Sequence, residues 1–134
     1  MLYGKEHVRR YQETDGQEGH DWNNTIVLLL TTKGRKSGQP YTTPLIYQAH
    51  GDDHIVVASK GGDPDHPGWY KNLLANPEVE VQVKGEKFKA RARTANESEK
   101  PELWKLMTRT WPDYDSYQQK TGRDIPVVIL ERAE

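Results

Sequence analysis

Leu28–Leu45, LLLTTKGRKSGQPYTTPL, is the stretch on which the fold turns. Both ends are rich in β-branched and aliphatic residues, which suit strands, and Gly34-Arg35-Lys36-Ser37-Gly38 separates them. That pattern reads as a β-hairpin, with Asn24 near the start of one arm and Ala49 near the end of the other. Between Trp22 and Gly51 there is no Asp or Glu, while Lys33, Arg35 and Lys36 cluster at the tip. The flanking glycines allow positive φ, so backbone N–H groups can point outward beside the Arg and Lys heads. Such donors suit a phosphate or a carboxylate. They also suit a hairpin tip kept soluble by charge, and the residues alone leave both readings open.

Downstream, Gly51-Asp52-Asp53 makes a second turn and HIVVASK, His54 to Lys60, a third strand. HPGWYKNLLANP reads as a short helix capped by Asp65 or His66, with Pro67 in its first turn and Asn76-Pro77 at its end. EVEVQVKGEKFKARART alternates with period two, placing Val79, Val81, Val83, Phe88, Ala90 and Ala92 on one buried face. Lys87, Lys89, Arg91 and Arg93 then form the solvent face. A helix from about Asn96 to Arg109 turns Leu103, Leu106 and Met107 inward, and a shorter one runs from Pro112 to near Gly122. IPVVILE closes the chain as a strand. The expectation is an α+β, mainly β fold: about six antiparallel strands with two or three inserted helices. Residues 1–21 form a polar N-terminal segment, helical around Lys5 to Gln12, and residues 22–134 form one domain.

The 134 residues suit a single core, and a net charge of −1 argues against a general nucleic-acid binder. Any anion site must therefore be local. Cysteine is absent, so disulfides and thiolate ligands are excluded and a reducing cytoplasm is the expected location. The N-terminus carries no apolar run resembling a signal peptide or membrane span. The five histidines show no metal-ligand spacing, so no metal is expected. Gly-x-Ser-x-Gly, P-loop and dinucleotide fingerprints are all missing. If the chain is an enzyme, a cofactor carries its chemistry.

Two further stretches bear on a site. In VVASKGGDPDHPGWYKN a strand ends at Ser59-Lys60, a Gly-Gly turn follows and a helix begins. This is either an ordinary connection or a second anion-friendly turn. In TWPDYDSYQQ, Trp111, Tyr114 and Tyr117 recur every third residue along one face, as core or as the wall of a pocket for a planar ligand.

These residues, in this order and spacing, resemble the deazaflavin-dependent nitroreductase family of actinobacteria. The quoted segments are LLLTTKGRKSGQP, TTPLIY, VVASKGG, HPGWYKNLLANPEVEVQV, WPDYDSYQ and IPVVILER, and the likeness runs from about Gly4 onward. The resemblance implies a split β-barrel similar to FMN-binding barrels. It also implies coenzyme F-420, a deazaflavin with a phosphate and an oligoglutamate tail. By resemblance, Arg35, Lys36, Ser37, Gly38, Tyr41 and Pro44 belong to the coenzyme-binding hairpin. Ala58, Ser59 and Lys60 match the strand end that meets the coenzyme, with Trp69 and Asn72 on the helix behind. Tyr114 and Tyr117 line the acceptor pocket and, with Ser59, orient the acceptor. Tyr41 stands where relatives often carry Arg, which removes one tail cation. The implied activity is hydride transfer from the reduced coenzyme to a small electron-poor acceptor such as a quinone, enone or nitroaromatic. An FMN-dependent oxidoreductase on the same barrel and a non-catalytic deazaflavin carrier are the alternatives. A homodimer is also expected, and neither nucleic acid nor a membrane is an expected partner.

Overall fold

The hairpin forms as expected. In a computed structural model describing residues 2–133, β2 (Thr25–Lys33) and β3 (Pro40–Ile46) pair antiparallel from Val27 opposite Ile46 to Lys33 opposite Pro40. Helix α1 (Gly4–Thr14) and the two-residue β1 (Asp21–Trp22) precede them. After them come β4 (Gln48–His50), β5 (Asp53–Val57), a 3-10 turn at Lys60–Gly62, α2 (Gly68–Ala75), β6 (Glu78–Val83) and β7 (Glu86–Thr94). Helices α3 (Lys100–Thr110) and α4 (Asp113–Lys120) then lead to β8 (Val127–Arg132). All pairings are antiparallel, in the order β1-β2-β6-β7-β8-β5-β4 with β3 on the other edge of β2. The result is a curled sheet, a half-barrel, with four helices among the described residues.

The six long strands and three inserted helices match the sequence reading; β1 and β4 are short additions. The returning arm breaks at Tyr47, which donates its backbone N–H to Ile26 O and buries its ring. There the chain leaves β2 and pairs instead with β5, turning the corner of the barrel. One local expectation fails. Neither Asp65 nor His66 caps α2: Pro67, extended at ψ 151°, occupies that position with no side-chain cap. The Asp65 carboxylate instead accepts from Lys71 Nζ at 2.7 Å.

Alternation sorts the strands into two faces. Leu28 and Leu30 of β2, Val56 of β5 and Val128 and Leu130 of β8 point into the barrel with Val79, Val81, Phe88, Ala90 and Ala92. On the outer face, Val27 and Leu29 are covered by Tyr11 of α1, while Ile55, Val57, Val127 and Ile129 are covered by Leu103, Met107 and Tyr114. Strands buried on both faces are continuously apolar, which is why TIVLLL shows no alternation. The polar segment 2–21 thus packs onto the sheet through one aromatic anchor, fully buried Tyr11.

Candidate functional site

The hairpin tip faces the start of α2 across a hollow of about 500 Å³. Gly34 takes no Cβ there, because one would meet Ser37 Oγ and a Tyr41 ring carbon at 2.7 Å. Ser37 Oγ is engaged in the turn, accepting from Gln39 N at 3.1 Å. Buried Asn72 holds the tip to α2: its Oδ1 accepts from Arg35 N (3.2 Å) and Arg35 Nη1 (2.9 Å), and its Nδ2 donates to Thr32 Oγ1 at 3.1 Å. Asn72 therefore aims Arg35. Neither Arg35 nor Lys36 forms a salt bridge among the described residues, and no carboxylate lines the hollow.

Thr43 and Trp69 also line a second, more apolar cleft of about 480 Å³, so the two hollows adjoin. Pro44, Leu45 and Ile46 of β3 form one wall, and the loop after β5 contributes Ser59, Lys60 and Gly61. That loop is locally strained: Lys60 has φ 46°, followed by Gly61 at 61° and Gly62 at 82°. Within it, Gly62 N donates to Ser59 O at 2.9 Å and Asp63 N to Lys60 O at 3.1 Å, which holds the turn closed. Opposite stand Trp111, Tyr114 and Tyr117. Trp111 Nε1 donates to Tyr117 Oη at 3.3 Å, which leaves the Tyr117 proton available to another acceptor. Burial, followed by the neighbouring Tyr117, pushes the pKa of Tyr114 upward, so its phenol stays neutral. Among the described residues, no carboxylate lines this cleft either.

The structure thus gathers Arg35, Lys36, Ser37, Tyr41, Trp69 and Asn72 around the basic hollow, and Pro44, Ser59, Lys60, Tyr114 and Tyr117 around the cleft. Two expected contacts fall outside both. Ala58 is fully buried, because strand alternation points its methyl into the barrel. Gly38, at φ 73°, turns away and borders a separate surface hollow with Lys33, Glu78 and Glu80. The sequence reading also missed a wall of the cleft, formed by Tyr3, His7 and Trp22. His7 Nε2 donates to Gly19 O at 2.8 Å, and Trp22 Nε1 donates to Leu2 O at 2.8 Å. The available signal was the spacing of His7 and Tyr11, which puts two rings on one helical face within an otherwise polar segment.

Comparison with known proteins agrees with this geometry. Residues 3–132 match the family described as F420H(2)-dependent quinone reductase. An F420H(2)-dependent quinone reductase of Mycobacterium tuberculosis is 42% identical over 130 residues, covering 94% of this chain and 87% of its own. Among solved structures, an F420-H2 dependent reductase superposes with a TM-score of 0.73 at 43% identity, over 78% of this chain and 93% of that one. Another, described as a domain-swapped dimer, gives 0.76 at 40% identity, over 92% and 96%. The heme storage protein HutZ of Vibrio cholerae, 16% identical with a TM-score of 0.61 over 99% and 92%, shares the fold alone. The chain belongs to the F420H(2)-dependent quinone reductase family.

Proposed function

We propose that this protein reduces quinones at the expense of reduced coenzyme F-420, with the basic hollow and the tyrosine cleft as two ends of one site. The observation that carries this reading is their junction at Thr43 and Trp69, with no carboxylate among the described residues lining either part. The donor set fits the coenzyme: Arg35 and Lys36 suit its phosphate and glutamate tail, and the flat aromatic cleft suits its ring. When bound, the coenzyme supplies the hydride.

The protein's own residues bind, orient and exclude water. Asn72 presets the Arg35 guanidinium, so less side-chain freedom is lost when an anion arrives. Trp22, Trp69 and Trp111 exclude water from the transfer. Tyr117, already accepting from Trp111, holds its proton for a quinone oxygen, and Ser59 offers a second hydroxyl in the same cleft. Holding the two reactants in one slot lowers the barrier by positioning.

Titration with reduced coenzyme F-420 and with FMN, followed by turnover with a naphthoquinone, tests the reading. The coenzyme binds more tightly than FMN, and adding quinone oxidises it catalytically. Tighter FMN binding would overturn the assignment, whereas tight coenzyme binding without turnover would make the protein a carrier. The domain-swapped neighbour also supports pairing of two copies, which light scattering would register as a mass twice the 15.4 kDa of one chain.

A further inference from the structure

Arg123 lies between α4 and β8, remote in sequence from the loop after β5, yet its guanidinium is spent on that loop. Nε donates to Asp63 O at 2.8 Å, Nη2 to Ser59 O at 2.8 Å, and Nη1 to Ala58 O at 3.2 Å. Nη1 also donates to His66 Nδ1 at 3.1 Å. Its own carbonyl accepts from Gln118 Nε2 of α4 at 2.7 Å, and Gln118 Oε1 accepts from Ile125 N at 2.9 Å. One planar fork therefore ties three carbonyls of a strained loop to the helix that carries Tyr114 and Tyr117.

We propose that Arg123 is a positioning residue: it locks the Ala58–His66 loop in the shape that presents Ser59 and Lys60 to the coenzyme, and His66 makes that lock sensitive to pH. The inference rests on the coenzyme reading above. Neither part of the lock touches the cleft; both act through the loop backbone. Because Nδ1 accepts from Arg123, His66 must be neutral, and protonation would set a donor against a donor. The groups facing His66 come from both sides: Arg123 from the connection before β8, Tyr70 (ring centroids 4.9 Å apart) and Lys71 from α2, and Asp65 from its own loop. Burial, then Arg123, lowers its pKa below the ordinary 6.5, Asp65 opposes and Lys71 adds to the lowering.

Amide hydrogen exchange on the free protein, together with coenzyme titrations, tests this in Arg123→Ala, Arg123→Lys and His66→Asn. In Arg123→Ala, exchange at residues 59–63 accelerates while the β2 and β8 amides keep their protection, and the coenzyme Kd rises about tenfold. Arg123→Lys keeps the charge without the fork and rescues little. In the native protein, coenzyme affinity falls as the pH drops below 6.5, and in His66→Asn, whose side-chain carbonyl accepts without titrating, that fall is flattened. Unchanged exchange at 59–63 in Arg123→Ala would overturn the lock, and an acid limb surviving in His66→Asn would overturn the role of His66. Faster exchange in a protein that binds no coenzyme at any pH would leave the lock standing and overturn the coenzyme reading instead.

Discussion

Gly62 and Tyr117 meet backbone to backbone: a Cβ on Gly62 would lie 2.8 Å from the Tyr117 carbonyl oxygen and 3.0 Å from its Cα. The loop presenting Ser59 and Lys60 is thus seated directly on the helix presenting the two tyrosines. Gly62→Ala adds a methyl where none fits, at φ 82°. It destabilises by about 1–3 kcal/mol and disturbs both ends of the cleft together. Urea denaturation and quinone turnover check this; a native-like rate in a destabilised protein would count against the coupling.

Tyr117→Phe removes the hydroxyl that Trp111 Nε1 orients. Turnover falls about a hundredfold while the coenzyme Kd holds, since the ring remains. Trp111→Phe keeps the proton but frees the hydroxyl, so the loss is smaller. A proportional rise in coenzyme Kd would show instead that Tyr117 serves binding.

Replacing Arg35 and Lys36 together with Ala weakens coenzyme binding by about tenfold or more, with a larger effect for longer glutamate tails and a smaller one at high salt. Asn72→Leu reproduces part of this loss without removing a charge, because Arg35 loses its anchor. Isothermal titration across salt concentrations separates the two cases.

Tyr11 is fully buried, donates to Val27 O at 3.0 Å and accepts from Lys84 N at 2.8 Å. Tyr11→Phe strands both backbone partners and costs about 1–3 kcal/mol of global stability. A chemical melt that loses only α1 while the sheet keeps its midpoint would show that the N-terminal segment unfolds separately.

His54 and Glu99 contribute to the acid side of stability in different windows, His66 adding to the first. Burial, and then Arg132, depresses His54 below its ordinary 6.5, and its Nδ1 is buried without a hydrogen-bond partner among the described residues. The unfolded chain therefore takes up this proton first, and stability declines as pH falls below 6.5. Glu99, hydrogen-bonded by Arg93 at 2.7 and 2.8 Å, is held down to about 2 from 4.5. Its contribution is complete above 4.5 and is lost as pH falls toward 2. Stability measured against pH in His54→Gln flattens the first decline, and in Glu99→Gln the second.

The hairpin, the inward Val79-Val81 and Phe88-Ala90-Ala92 faces and the acid-free tip at Arg35-Lys36 were legible in the chain. They depend on residue spacing, and the periods of strand and helix are local. That Thr43 and Trp69 join the tip to the tyrosine cleft was not legible, nor that Arg123 grips Ser59 from 64 residues away. Those placements follow from sheet closure, with β5 pairing β8 and β2 pairing both β3 and β6, and closure is a long-range property of register. Tyr3 and His7 were hidden for the same reason: a polar, seemingly peripheral segment becomes a wall only once Tyr11 docks it on the sheet. Residue type and spacing mark which side chains are suited to an anion; only sheet closure brings Arg35, Lys36, Ser37 and Asn72 around one hollow.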